Sequence, residues 1–352
     1  FFSIDMSGGA TVVKVALDWT PNTNHTGFYV AREKGMYNSV DLQVEFLGVH
    51  DDGYKVTPAQ KVLQGLADVA ITPKETIISH ATRGSAQEEP ALNAIAAVMQ
   101  TDTSAIVTLK KSGIDNPKGL DGKKYASYGA RYEGRIVQQM IRYAGGKGEY
   151  LEPTPPMLGI WNTLISGDFD ATWVFMGWEG VEAERQGIEL NVFRPTDYGV
   201  PYGCSPIIAC KTEALGSSTL STFMKATAQG YAWAAANPAE AADILFDAVA
   251  SDIKRGAMAA LPIPLDREMC RASQEYVSAR YLSSEGHWGV MQQKMWDDFL
   301  DWLSENGLLT TAIQSRKEGG TSLDDLRQGK VGDTIPREKV ISTQMFTNSF
   351  LQ

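Results

Sequence analysis

The segment "ALDWTPNTNHTGFYVAREKGMY", residues 16–37, joins a strand to a helix through a long polar bridge. The β-branched run at 12–18 predicts the strand, and the apolar spacing over 28–34 predicts a helix that ends at Gly35. The bridge between them, 20–27, is longer than such a connection requires. We therefore expect it to form one wall of a ligand site, the alternative being an ordinary loop whose Asn side chains satisfy their own backbone.

Strands alternate with helices through the rest of the chain, and the pattern restarts near residue 123. This alternation predicts an α/β protein with parallel sheets, right-handed crossovers and two lobes. We expect lobe 1 to comprise 11–110 and 203–306, lobe 2 to be inserted as 111–202, and 307–352 to pack on lobe 1 as an extension. A hinged fold of this kind binds its ligand in the cleft between the lobes, near the carboxyl ends of strands.

Composition excludes several classes of partner. The 352 residues carry a net charge of −10 without a cluster of Lys and Arg, so a nucleic acid partner is not expected. The sequence has no apolar run of about 18 residues, so no membrane span is predicted. Three cysteines without a CxxC pair indicate free thiols in a reducing compartment and no structural metal site.

The first residues bear on location. We interpret 1–5 as a vector-derived remnant and Met6 as the native start, which leaves no room for a signal peptide before the first strand. This interpretation predicts a cytoplasmic protein. The alternative is an exported protein whose signal was replaced, and only then would a membrane transporter be a partner.

Trp19 and its bridge supply the first candidate site residues. A Trp at the carboxyl end of a strand can offer a flat face to a ligand ring. Asp18, Asn22, Asn24 and His25 could supply directional hydrogen bonds around it. The alternative is a buried Trp beneath a loop.

The segment "SYGARYEGR", 127–135, supplies a second group. A strand ends at Ser127, Gly129 turns the chain, and a helix begins near Tyr132, with Arg131 close by. Free N–H groups at a helix start can hold a phosphate or carboxylate. A plain turn remains the alternative.

Two further stretches carry candidates. In "WVFMGWEG", 173–180, a strand leads into Trp178 and Glu179, whose carboxylate could accept the paired N–H groups of an aminopyrimidine. The alternative is that Glu179 contacts no ligand and only complements the dipole at the start of a helix. Tyr202 could line the cleft from the return crossing, unless this stretch is only a hinge stiffened by prolines. No residue pattern predicts a catalytic site.

Several of these motifs together resemble one family, the periplasmic-binding-protein-like proteins that handle the thiamin pyrimidine. The family includes bacterial proteins that bind formylaminopyrimidine-type precursors and fungal synthases that make hydroxymethylpyrimidine phosphate from pyridoxal phosphate and histidine. The resemblance implies a type II periplasmic-binding-protein-like fold. The motifs that carry it are "ALDWTPNTNHTGFYVAREKGMY", "GLADVAIT", "LKKSGI" with "LDGKKYASYG", "GDFDATWVFMGWEG" and "YGVPYGCSP".

The resemblance assigns residues and also exposes departures. It implies that Trp19 stacks on the ring, that Glu179 contacts the amidine edge, and that 127–132 is the phosphate-binding turn. The positions of the synthases' Lys and His fall on Thr72 and Thr76, while their Cys-rich iron stretch keeps only Cys204 at its start.

We therefore expect a protein that binds a small heteroaromatic metabolite, a thiamin-related aminopyrimidine or its phosphate, without a cofactor. The first alternative is a synthase-like enzyme using pyridoxal phosphate, for which Lys74 and His80 lie off register. The second is a binding protein for a sulfonate-type anion on the same scaffold.

Overall fold

Two mixed β-sheets with helices packed around them organise the chain. The computed structural model describes residues 10–82, 91–311 and 332–351. Within these residues, no helix combines the length and apolar character needed to cross a bilayer. The expectation for 307–352 can be followed only in its described parts, 307–311 and 332–351.

The first sheet has five strands in the order β2-β1-β3-β9-β4. Strands β1, β2 and β3 are parallel, with Val15 opposite Val69, whereas β9 runs antiparallel to both β3 and β4. The strands are β1 (Thr11–Ala16), β2 (Leu42–Leu47), β3 (Val69–Thr72), β4 (Leu92–Ala97) and β9 (Ile207–Lys211).

The second sheet has four strands in the order β6-β7-β5-β8. Its strands are β5 (Ser104–Leu109), β6 (Tyr125–Ala126), β7 (Ala171–Phe175) and β8 (Leu190–Phe193). Strand β5 is antiparallel to both of its neighbours, β7 and β8. The expectation of parallel sheets is therefore wrong for both sheets, because the chain enters or returns through an antiparallel strand in each of them.

The helices follow the predicted spacing with small shifts at their ends. Pro58 opens the second helix and Pro238 the eighth, where a missing N–H is tolerated. The helices are α1 (Thr26–Glu33), α2 (Pro58–Leu63), α3 (Lys74–Ala81), α4 (Glu133–Tyr143), α5 (Ile160–Ile165), α6 (Val181–Arg185), α7 (Ser218–Ala236), α8 (Pro238–Lys254), α9 (Arg267–Tyr281) and α10 (Gln293–Glu305).

The chain passes between the sheets twice, but the first crossing lies earlier than expected. Strand β5 pairs with β7 and β8, so it belongs to the second sheet and not to lobe 1 as predicted from the sequence. By sheet membership the first crossing falls between Ala97 and Ser104. Alternation alone could not locate this boundary, because a buried strand carries no mark of the sheet that it joins.

Helix α10 connects the two sheet units. One continuous apolar cluster contains Ile77 of α3, Ile136 of α4 and Phe299 of α10. The Phe299 ring packs edge-on against Tyr132 at 6.5 Å and against Tyr202 at 5.9 Å. The two units are therefore held by a shared core as well as by their crossings.

The described end of the chain lies on the first sheet. The Ala94 N–H of β4 donates to Met345 O at 2.9 Å, and the Thr347 N–H donates to Ala94 O at 2.9 Å. The Asn93 side chain adds a bond to Gln344 O at 2.7 Å. These bonds cover the free edge of β4, which would otherwise expose unpaired backbone groups.

Candidate functional site

A cavity of about 360 Å³ opens between the two sheet units. One wall comes from the bridge after β1 and the start of α9, and the other from the ends of β6 and β7 with α5 and α6. Its lining comprises Trp19, Thr20, Tyr128, Leu158, Gly159, Ile160, Trp161, Asn162, Trp178, Glu179, Glu182, Arg185, Gln186, Pro262, Ile263, Pro264, Leu265, Asp266 and Met269. The cavity thus combines three tryptophans with a small number of charged groups, as expected for an oriented aromatic ligand.

Trp19 lies at the junction of the two walls. Its ring meets Tyr128 of the second unit edge-to-face, with centroids 5.8 Å apart, and lies 6.5 Å from Tyr54. Edge-to-face contacts of this kind fix ring orientation and add about 1 kcal/mol beyond area burial. Trp19 is therefore held in place among the residues that line the cavity.

The polar residues of the bridge have a different role from the expected one. His25 accepts the Asn22 N–H at Nδ1 (3.2 Å), so its Nε2 carries the proton and donates to Asp18 Oδ1 at 2.8 Å. The Asn22 side chain accepts the Asn24 N–H at 2.9 Å, and the Tyr231 hydroxyl donates to Asn24 O at 2.6 Å. None of these residues lines the cavity; the bridge is long because it folds into a capped turn that supports Trp19.

Glu179 lies on a π-helical turn, Met176–Gly180, that follows β7. Its Oε2 accepts the Phe175 N–H at 3.1 Å. Burial, and to a smaller extent the neighbouring charge of Glu182, raises the pKa of Glu179 to about 7. A carboxyl group in this state can exchange a proton with a weakly basic ring at neutral pH.

Helix α9 positions this π-helical turn. The Ser273 hydroxyl donates to Gly177 O and also lies 2.6 Å from the Thr23 hydroxyl of the bridge. A Cβ on Gly177 would lie 2.6 Å from Val277 Cγ1, so only glycine permits this approach. The same helix therefore fixes the turn that carries Trp178 and Glu179 and the bridge that supports Trp19.

The expected anion-binding turn is occupied by the protein's own carboxylate. Glu133 Oε1 accepts the Tyr128 N–H at 3.0 Å and the Tyr125 hydroxyl at 2.7 Å, while Oε2 accepts the Ala130 N–H at 3.1 Å. The remaining donor, the Gly129 N–H, is bonded to Ser127 Oγ at 2.9 Å. The turn does hold an anion, but that anion is Glu133, which corrects the expectation of a ligand contact.

Arg131 and Ser127 are likewise engaged inside the protein. The buried Arg131 guanidinium donates to the Thr82 hydroxyl and to Thr310 O, and Ser127 Oγ donates to Glu152 Oε1 at 2.8 Å. Neither side chain lines the cavity. Arg131 instead ties the second unit to α3 and to the end of the segment that follows α10.

Thr72, Tyr132 and Tyr202 lie outside the cavity as well. Thr72 donates to Thr76 Oγ1 at 2.8 Å, while the two tyrosine rings pack on Phe299 of α10. The sequence did not indicate that a helix from the far end of the chain would cover this part of the cleft.

A polar cluster, defined here as Lys74, Glu75, Asp102, Tyr202 and Cys204, lies next to α10. Lys74 Nζ reaches Met295 O at 3.5 Å and lies 4.3 Å from the centre of the Phe299 ring. Burial lowers the pKa of Lys74 and raises that of the Cys204 thiol. The thiol is therefore held protonated, which disfavours a role as nucleophile.

Sequence reasoning missed most of the cavity lining, including three residues whose side chains can contact a ligand through polar groups or a ring. Glu182 follows Glu179 by one helical turn, and its Oε1 accepts from Gln186 Nε2 at 3.0 Å. Trp161 at the start of α5 adds a third indole, and Arg185 pairs with Asp266 at 3.1 Å across the rim. The spacing of Glu179 and Glu182 was the one available signal, since residues three apart share a helix face.

Two mixed sheets, two crossings and an intervening aromatic cavity define the two-lobed fold of the periplasmic-binding-protein class. A structure from Candida albicans, described as having the generic periplasmic binding protein fold, superposes with a TM-score of 0.60 at 15% identity. The alignment covers 97% of each chain. The predicted fold class is thereby confirmed.

Sequence comparison places the chain in a family. The NMT1/THI5 like family model matches residues 22–241, so the chain belongs to that family. The formylaminopyrimidine-binding protein of Halalkalibacterium halodurans is 24% identical over 86% of this chain and 87% of its own length. The 4-amino-5-hydroxymethyl-2-methylpyrimidine phosphate synthase of Legionella pneumophila is also 24% identical, over 69% of this chain and 75% of its own length. The predicted family resemblance is thereby confirmed.

Proposed function

We propose that this protein binds a thiamin-related aminopyrimidine in the cavity between its lobes. The observation that carries the proposal is the meeting of Trp19, Trp178 and the buried Glu179 around one cavity of about 360 Å³. That volume lies at the lower end of the range for small-molecule sites, which suits a ligand with a single ring. The name of the Halalkalibacterium halodurans relative supports the same class of ligand.

Glu179 supplies the polar recognition. An aminopyrimidine presents an exocyclic amine beside a ring nitrogen, and a carboxyl group can pair with both at once. Since burial raises the pKa of Glu179 to about 7, one proton can be shared between the carboxyl and the ring nitrogen at neutral pH. Such a charge-assisted pair is strong where water is excluded, and the indoles of Trp19 and Trp178 exclude it.

We propose further that the ligand is not phosphorylated. The backbone donors of the 128–130 turn are already bonded to Glu133 and Ser127. The charged lining residues are three acids, Glu179, Glu182 and Asp266, and one base, Arg185, which is paired with Asp266. A phosphate would therefore meet an excess of carboxylates, with the one base of the lining already paired.

The same charges weigh against a sulfonate-type ligand, because three of the four charged lining residues are acids and the one base is paired with Asp266. The enzyme alternative is suggested by the name of the Legionella pneumophila relative, which is a synthase. Lys74, the candidate for a pyridoxal phosphate imine, lies under Phe299 and does not line the cavity. We therefore propose binding without a cofactor.

We also infer a cytoplasmic location, because all three cysteines, Cys204, Cys210 and Cys270, are free and buried. In that location the protein would pass its ligand to an enzyme, and no membrane transporter would be involved. Fractionation of cells that express the native gene tests this inference. Recovery in the exported fraction would overturn it and make a membrane transporter the expected partner.

The central test is calorimetric titration of the purified protein with aminopyrimidines, preceded by mass spectrometry of co-purifying small molecules. Glu179→Gln is expected to lose about 1.5–3 kcal/mol of affinity, because it removes a charge-assisted hydrogen bond. Glu184→Gln, an exposed change one turn away, is the matched control and should bind like the wild type. Failure of every aminopyrimidine to bind would refute the proposal.

A further inference from the structure

We propose that Glu182 is a second recognition carboxylate and that the cavity selects a pyrimidine whose side arm carries a protonated amine. This inference rests on the proposed function and adds a specificity that Glu179 alone does not provide. Glu179 addresses the amidine edge of the ring, whereas Glu182 addresses the substituent attached to it. The ligand class is thus a cationic, amine-bearing aminopyrimidine.

Glu179 and Glu182 are close neighbours at the start of α6. Glu179 is the fourth residue of the π-helical turn and Glu182 lies in the first turn of α6, and both line the cavity. Residues three apart on a helical surface have their Cβ atoms roughly 5–6 Å apart. A six-membered ring held at its amidine edge by one carboxyl can therefore present its arm to the other.

Hydrogen bonds from neighbouring side chains hold the Glu182 carboxyl in place. Gln186 Nε2 donates to Oε1 at 3.0 Å, and the Trp161 side chain is a second hydrogen-bonding neighbour. These contacts hold a half-buried side chain in one position, where a solvated surface glutamate would be mobile. A fixed carboxylate recognises a cation with less loss of side-chain entropy.

The cavity lining has an excess of negative charge. Arg185 is neutralised by Asp266 at 3.1 Å, and among the described residues neither Glu179 nor Glu182 has an ion-pair partner. The Glu179 carboxyl lies within reach of the negative charge of Glu182, which raises its pKa. A cation between them would relieve that repulsion, and the faces of Trp19 and Trp161 would attract it as well.

Three probes that differ only in the arm test the proposal, namely aminomethylpyrimidine, its N-formyl derivative and hydroxymethylpyrimidine, each with the same ring. In calorimetric titrations the wild type should bind the amine at least about tenfold more tightly than the alcohol, with the formamide between them. Glu182→Gln should reduce this preference to about twofold or less, while Glu184→Gln should keep it.

Glu182→Gln keeps the shape of the side chain and an acceptor for Gln186, and an unchanged thermal midpoint will verify its fold. The wild-type ranking needs no variant and is an independent arm of the test. A wild type that does not distinguish the three probes, or a preference that survives Glu182→Gln, would overturn the proposal while leaving aminopyrimidine binding intact. Failure of all three probes to bind would instead overturn both proposals together.

Discussion

At the scale of single residues, the site depends on carboxyl groups held in apolar surroundings. The Glu179 carboxyl accepts backbone N–H groups, among them that of Phe175, and lines the same cavity as three indole rings. Burial without an opposite charge raises its pKa to about 7, and the same burial must oppose folding whenever the group is ionised. Binding strength and stability are therefore coupled at this residue.

Glu179→Gln is expected to stabilise the ligand-free protein at pH 8. The folded-state pKa of about 7 lies above the ordinary value of 4.5, so the wild type loses stability as the pH rises between those values. The gain of the variant should grow over this window to at most about 3 kcal/mol. Urea unfolding of both proteins between pH 4 and pH 8 will measure it, and a difference that does not vary with pH would contradict the assigned cause.

Lys74→Met is expected to keep or raise the stability of the protein and to leave aminopyrimidine affinity unchanged. The side chain is fully buried and has no ion pair among the described residues, and burial lowers its pKa more than the charges of Glu75 and Asp102 raise it, which disfavours the ammonium form. Thermal unfolding and titration check the two expectations. If the variant abolished an imine absorbance seen when pyridoxal phosphate is added to the wild type, the enzyme alternative would be supported instead.

At the scale of elements, the turn that begins α4 shows how the same geometry can serve two purposes. A strand, a glycine with φ of +70° and a helix start create backbone donors that suit an anion. Here those donors meet Glu133, whose pKa is nevertheless raised by burial. The Glu133 carboxylate therefore occupies the backbone donors that a ligand phosphate would need.

Hydroxymethylpyrimidine phosphate is expected to bind at least about tenfold more weakly than hydroxymethylpyrimidine. A phosphate would have to displace Glu133 or lie beside Glu182, and either arrangement carries an unfavourable electrostatic energy. Competition calorimetry with the two ligands gives the ratio. Equal or tighter binding of the phosphate would show that the turn can release Glu133.

At the scale of the whole molecule, the two lobes are joined by more than their crossings. Phe299 of α10 packs on Tyr132 of the second unit and on Tyr202 of the return crossing, within an apolar cluster that spans both sheets. A shared core of this kind predicts one cooperative unfolding unit and limits hinge motion.

Phe299→Ala is expected to destabilise the protein by about 3–5 kcal/mol, because it removes a fully buried ring between the lobes. Calorimetry should show one transition in the wild type, and any separation of the lobes should appear first in this variant. Phe346→Ala, at a partly buried ring on the tail, is the comparison and should have the smaller effect. Two wild-type transitions would contradict a common core.

The sequence by itself determined the alternation of strands and helices and the α/β class, since these follow from local periodicity and from motif resemblance. The ligand contacts of Trp19 and Glu179 stay predictions from that resemblance. Hydrogen-bond partners could not be predicted in the same way. Asn22 and His25 were expected to face a ligand, yet they cap their own turn, and Ser127 with Arg131 is bonded within the protein.

Only the tertiary structure decided which sheet β5 joins, that α10 covers Tyr202, and that Glu182 shares a cavity with Glu179. The physical reason is the same in each case. Periodicity in the sequence indicates whether a side chain is buried. The residues that a buried side chain contacts depend on packing between segments that are far apart in the chain. A polar group can form a hydrogen bond with any suitable neighbour that this packing places beside it.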